Sequence, residues 1–251
     1  MTRLERMAEL RVKLFADGAD VATMRALAAH PWIQGFTTNP TLMRKAGVRD
    51  YRRFAQDVLA AIPDRPISFE VFSDEPAEME QQALEIASWG PQVYVKLPVS
   101  NTQGQFAGPL IHRLSAAGVK VNVTAVFTLE QVAEVTQCLS AHTPSNISVF
   151  AGRIADTGRD PVPIMVEALR IMRTRPPAEL IWASPREVLN VVQANAIGCH
   201  IITATHDILA KLPFLDKDLA AFSLETVRMF RQDALTAGYT IDVSQSAPVL
   251  L

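Results

Sequence analysis

The run VYVKLPVS, residues 93–100, sets one lysine inside an otherwise apolar, valine-rich stretch, and its reading decides the fold. A Leu or Ile would pack better at position 96, so the charge needs a reason. Seven similar runs share the chain with it: VKLFAD (12–17), GFTTN (35–39), PISFEVF (66–72), VKVNVTAVF (119–127), NISVFAG (146–152), ELIWAS (179–184) and CHIITAT (199–205). Most are continuously apolar and rich in Val and Ile, which suits parallel strands buried on both faces.

The segments between the runs carry helix signals. DVATMRALAAH opens on a capping Asp20 and places Val21, Met24, Leu27 and Ala28 on one face. DEPAEMEQQALEIASWG offers Asp74 as cap, Pro76 in the first turn and Gly90 as stop. TLEQ (128–131) and SPRE (184–187) fit the capping-box pattern, and DPVPIM announces a further helix. Eight alternating units predict an α/β fold of the (β/α)8 TIM-barrel type. A doubly wound sheet fits less well, because the turn after the first run, ADGADV, has no GxGxxG. With no linker or low-complexity segment, residues 1–251 are expected to form one domain. It would carry an N-terminal extension over 1–11 and an extra C-terminal helical segment over about 212–242, the latter containing the capping-box-like SLETVRMFRQDALTAG.

Composition narrows the function classes. The chain has 251 residues, with 24 basic against 26 acidic side chains, a net charge of −2. No basic stripe points to nucleic acid, and no apolar run is long enough for a bilayer. The start, MTRLERMAEL, is charged and lacks an apolar signal core. Cys138 and Cys199 have no metal-ligand spacing, and neither do the five histidines, so no metal is expected. These features fit a globular protein of the cytoplasm.

In a barrel of this kind the chemistry sits at the C-terminal ends of the strands. The polar residues offered there are Asp17, Thr38 and Asn39, Glu70, Lys96, Asn122 and Thr124, Ser148 with Arg153 beyond it, and Ser184 with Arg186. Alternation puts Tyr94, Lys96 and Pro98 on one face, and Asn122 with Thr124 on another. If those faces line the interior, burial disfavours the Lys96 ammonium. A neutral amine attacks carbonyl carbons and forms a Schiff base. Plainer readings stand beside this one. Lys96 at the rim pairs with Asp17 or Glu70, Asp17 and Asn39 open turns, and Ser184 only caps a helix. Glu70, between two phenylalanines, needs a partner in any reading. ASPRE places a serine at a helix cap and an arginine in its first turn; with Arg153 these form a candidate phosphate site.

FADGADV, GFTTNPTL, FEVFS, VYVKLPV, NVTAVF, ISVFAGRIADTG and ASPREV resemble, in order and spacing, the signatures of the transaldolase family, particularly its short bacterial branch. The resemblance runs from about residue 12 to 211. It implies transfer of a dihydroxyacetone unit from a ketose phosphate to an aldose phosphate, without a cofactor, in carbohydrate metabolism of the pentose phosphate kind. It makes Lys96 the Schiff-base lysine and Asp17 the acid–base for the C4 hydroxyl. Glu70 and Thr124 become the pair that positions a water. Asn39, Asn122 and Ser148 would hold the hydroxyls of the three-carbon unit, beside Thr38. Arg153, Ser184 and Arg186 would take the sugar phosphate.

The similar fructose-6-phosphate aldolases, which release free dihydroxyacetone, carry Gln in place of Glu70 and Tyr in place of Phe150. A phenol there orders the water that protonates the enamine, whereas Phe150 leaves that carbon drier. The transaldolase reading is therefore preferred to the aldolase, and to a non-catalytic phosphosugar-binding barrel in which Lys96 stays protonated. The sequence departs from the family pattern at Pro185, where an aromatic is expected, and at Trp182, at a small-residue position. Phe127 and Trp182 are expected to reshape the acceptor side. Sugar phosphates are the expected partners, and a homo-oligomer the expected assembly.

Overall fold

The computed structural model describes residues 9–175 and 177–242. The strands are β1 (Lys13–Asp17), β2 (Ile33–Thr37), β3 (Ile67–Glu70), β4 (Val93–Pro98), β5 (Val121–Val126), β6 (Ser145–Val149), β7 (Ala178–Trp182) and β8 (Ile201–Thr205). They pair in chain order, all parallel, and β8 closes on β1. This is the expected (β/α)8 barrel. Contacts divide the chain into two compact units, residues up to 212 and residues from 213.

The helices between strands are α1 (Val21–Ala28), α2 (Pro40–Lys45), α3 (Tyr51–Ala61), α4 (Pro76–Ala87), α5 (Gly108–Ala116), α6 (Leu129–Cys138), α7 (Ala151–Ala155), α8 (Pro161–Met172), α9 (Leu189–Ala196) and α10 (His206–Leu209). Several begin as their sequence dictates. Asp20 accepts from the Thr23 amide, and Asp160 caps α8 through Val162 N. Thr128 and Gln131 form the full capping box of α6. Two caps differ from expectation. Asp74 turns instead to Thr102, accepting from its amide and hydroxyl, which leaves Glu75 at the start of α4 with no side-chain cap. SPRE forms no capping box: α9 starts at Leu189, and Ser184 has φ +60°. A left-handed residue cannot take the extended conformation that a helix cap needs. The helix has no side-chain cap; Asn190, in its first turn, turns back instead, its Oδ1 accepting from the amides of Arg186 and Glu187 in the preceding loop.

The core lies in two shells. Outward-facing Phe69, Val95, Leu97, Val123 and Ile147 are fully buried, as are Val58, Ala83, Val132, Val135, Met165 and Ala168 from the helices. Inside the barrel, Phe15, Ile181, Ile201 and Ala183 pack together. Gly35 is required here, because a Cβ would lie 2.4 Å from the Phe15 ring. Trp182 is fully buried and is not among the residues lining the main cavity, contrary to its expected place beside the acceptor. Its neighbours Ile181 and Ala183 face the interior, so alternation turns the indole toward the helices.

The second unit holds α11 (Leu219–Ala237), which runs from an Asp218 cap to Gly238 at φ 68°. It starts four residues before the expected SLETVRMF box, because Asp218 accepts from Ala221 N. None of its residues is buried. Most of the N-terminal extension, residues 1–8, lies outside the described residues.

Candidate active site

The C-terminal ends of the strands open onto a cavity of about 570 Å³. Ten of the twelve residues singled out in the sequence line it; Thr38 and Asn122 do not. The register explains the convergence: Glu70 pairs with Lys96, and Lys96 with Asn122, so neighbouring strands present one layer at one height.

Lys96 is 7% exposed. Its Nζ donates to the carbonyl of Thr38 at 3.0 Å and lies 3.4 Å from Glu70 Oε2. Asp17 accepts from Thr37 Oγ1 at 2.8 Å and from Asn39 Nδ2 at 3.3 Å. Asn39 also caps α2 through Leu42 N, so one side chain ties β1 to the start of a helix. Burial pushes both carboxyls above the ordinary carboxylate range. For Asp17 the Lys96 charge and the Thr37 bond oppose that rise. For Glu70 the Lys96 charge and hydrogen bond oppose it, while Asp17 adds to it. Tyr51 Oη donates to the carbonyl of Glu70 at 3.0 Å, and its ring meets Phe69 and Trp89 edge to face. The end of β3 is thereby anchored from the helix side.

Thr124 carries a buried hydroxyl without a hydrogen-bond partner, at the cavity wall. Such a group is costly unless something in the cavity meets it. The next residue, Ala125, has φ +59°, where β5 and β6 slip register. Ser148 donates to Asn122 Oδ1 at 2.7 Å, and Asn122 Nδ2 donates to Ser68 Oγ at 2.9 Å. Asn122 is thus fully buried behind Ser148. Thr38 is likewise withdrawn: its Oγ1 donates to Ser68 O at 2.9 Å, and only its carbonyl reaches the lysine.

On the opposite side lie two cations. The Arg153 guanidinium stands 5.1 Å from the Phe150 ring centre, and Phe127 packs on the other aromatic contact of that ring at 5.6 Å. Phe127 itself lines an adjoining groove rather than the main cavity. Arg186 Nη1 donates to Ser184 Oγ at 3.0 Å, while its Nε and Nη2 hold Asp156. Gly152 lets the two loops meet, since a Cβ there would lie 1.6 Å from Ser184 O. Ser184 and Arg186 of the phosphate candidate therefore sit on a loop and not at the helix N-terminus that SPRE suggested, while Arg153 lies on α7.

Thr37, Thr203, Thr205 and Asp207 also line the cavity, and sequence reasoning passed over them. Period-two alternation from Gly35 and from Ile201 marks the three threonines. Asp156 carried no such signal. Among the described residues, no three His, Cys, Asp or Glu side chains gather to hold a metal.

A buried amine beside carboxylates, with cations across the cavity, is equipped for carbonyl chemistry on an anionic substrate. The chain belongs to the Transaldolase/Fructose-6-phosphate aldolase family, whose model matches residues 14–246. A protein named "Probable transaldolase" from Dehalococcoides mccartyi is 32% identical over 215 residues, 84% of this chain and 96% of that one. One of the same name from Streptococcus agalactiae is 34% identical, over 84% of this chain and 95% of that relative. Solved structures share the barrel. That of 2,3-dimethylmalate lyase has a TM-score of 0.54 at 12% identity, covering 99% of this chain and 93% of the other. KGPDC from Streptococcus mutans has a TM-score of 0.56 at 11% identity, covering 78% and 89%. Among the described residues, no helix is long and apolar enough to cross a membrane.

Proposed function

We propose that this protein is a transaldolase, moving a dihydroxyacetone unit from a ketose phosphate to an aldose phosphate through a Schiff base on Lys96. The observation that carries the reading is the Lys96 amine, 3.4 Å from Glu70 and walled in with Asp17 and the unpartnered Thr124 hydroxyl.

Lys96 passes its ammonium proton to Glu70, 3.4 Å away, and the freed amine adds to the C2 carbonyl. The carbinolamine then loses its hydroxyl as water, with Glu70 and Thr124 handling the proton, and an iminium remains. Asp17 takes the C4 hydroxyl proton. The O–H electrons become the new C=O, the C3–C4 bond breaks, and its pair flows to the iminium nitrogen to leave an enamine. The first aldose phosphate departs. The enamine attacks the aldehyde of the second, Asp17 returns its proton to the new hydroxyl oxygen, and water releases the product from Lys96. Asn39 and Ser148 face the three-carbon unit, with Asn122 holding Ser148 from behind. Arg153, Ser184 and Arg186 bind the phosphate through charge-assisted bonds.

Transfer is favoured over release by Phe150. Its ring sits against Phe127 and Arg153 and offers no hydroxyl to organise a water at the enamine. The enzyme would work in the cytoplasm, without a cofactor, as a homo-oligomer.

The test is borohydride reduction in the presence of fructose 6-phosphate. It should add a three-carbon unit to Lys96 in the wild type and nothing in Lys96→Ala. Donor consumption should require an aldose phosphate. An unmodified lysine removes the proposal, and free dihydroxyacetone accumulating without acceptor would favour the aldolase.

A further inference from the structure

We infer that Thr203, on β8, is a positioning residue for the acid–base step, holding Asp17 as an aligned carboxylate through the hydroxyl of Thr37. The inference rests on the transaldolase reading above and assigns a part to a strand that reading leaves idle.

Three side chains from three adjacent strands form one chain. Thr37 Oγ1 donates to Asp17 Oδ1 at 2.8 Å, and the hydroxyl oxygens of Thr37 and Thr203 lie 2.6 Å apart. A hydroxyl has one proton. Thr37 points its proton at Asp17, so Thr203 must donate to Thr37. The register brings the three side chains together. Asp17 pairs with Thr37 on one side and Thr205 on the other, while Thr203 pairs with Phe15, one layer below. Both threonines are buried and both line the cavity.

A hydroxyl that accepts a hydrogen bond donates a stronger one. Thr203 therefore polarises Thr37 toward the carboxylate form of Asp17 and fixes the rotamer that makes the contact. Burial works against that form, while Lys96 favours it; the Asp17 charge in turn raises the carboxyl of Glu70. Asp207, Arg153 and Arg186 share the cavity, and Asp20 and His206 share a small cavity on the other side of Asp17. A substitution at Thr203 leaves all these charges in place.

The variant is Thr203→Val, which keeps the branched shape and removes the hydroxyl. With fructose 6-phosphate and an aldose phosphate, kcat should fall roughly fivefold with KM unchanged. The acidic limb of the pH–rate profile should move to higher pH. Thr203→Ser should restore both, and Thr203→Ala should behave as Val does. Borohydride should still label Lys96 in every variant, because Schiff-base formation precedes the step that needs Asp17. A wild-type acidic limb in Thr203→Val, or a Ser variant no better than Val, overturns the inference. Should the wild type itself resist labelling, the transaldolase reading fails, and this proposal with it.

Discussion

The guanidinium of Arg186 grips the carboxylate of Asp156 along one edge, Nε to Oδ1 at 2.9 Å and Nη2 to Oδ2 at 2.5 Å. Such a fork fixes the plane of the cation as well as its position. The second edge, through Nη1, points at Ser184. The arginine thus reaches the cavity already oriented, from a loop that has no helix to stiffen it.

Asp156→Asn should raise KM for a phosphorylated donor about three- to tenfold, with little change in kcat, because one charge-assisted contact is weakened. The Arg186 hydrogen bond and charge hold the Asp156 carboxyl below the ordinary range. A lowered value favours folding above the unfolded titration range and loses that effect as pH falls through the folded one. The pair is exposed, so solvent screens it and the melting temperature should hardly move. Steady-state kinetics and a thermal melt decide the matter. A lower KM in the variant would mean that Asp156 competes with phosphate instead of aiming the arginine.

Asp17 gives the opposite balance of activity and stability. Burial raises its carboxyl, so between its unfolded and folded titration ranges the native state binds the extra proton. Stability then falls as pH rises through that window. Asp17→Asn carries no such slope. The variant should lose about 10²- to 10⁴-fold in turnover, the usual contribution of a general acid–base. It should also melt higher than the wild type at neutral pH, and the gap should close in acid, where both side chains are neutral. Melting curves from acid to neutral pH check this. A variant less stable than the wild type at neutral pH would show that the Thr37 and Asn39 bonds outweigh the burial cost.

How far the sequence could be read depended on whether local pattern or tertiary pairing decides the position. Lys96 and Thr124 were legible because alternation along a strand fixes which way a side chain points, whatever the neighbours do. Thr38 misled for the same reason. The strand ends at Thr37, not Asn39, and Thr38 falls on the face away from the cavity, where Ser68 O captures it. Ser184 was found as a residue but not as a conformation. Its φ of +60° is imposed by the packing of the β7 loop on Gly152, which no local rule contains. Asp156 was invisible because its partner lies thirty residues away on another loop. Thr203 was within reach, since Ile201, Thr203 and Thr205 follow the same alternation as the other strands.

Gly152 tests whether that loop packing matters to binding. A Cβ built on it would lie 1.6 Å from the carbonyl oxygen of Ser184 and 3.3 Å from Cα of Pro185. Both atoms are backbone, so no side chain can turn aside and the β7 loop must move. Its displacement would carry Ser184 and Arg186 with it, while Lys96, Glu70 and Asp17 sit on other strands and stay where they are. Overpacking of this kind costs about 1–3 kcal/mol of stability. A shift of order 1 Å at a binding group costs up to roughly a hundredfold. Gly152→Ala should therefore raise KM for the phosphorylated donor well beyond the Asp156→Asn effect, yet still form the borohydride-trapped adduct at saturating donor. A Gly152→Ala enzyme with wild-type KM would mean that the phosphate is not bound by the Ser184–Arg186 loop.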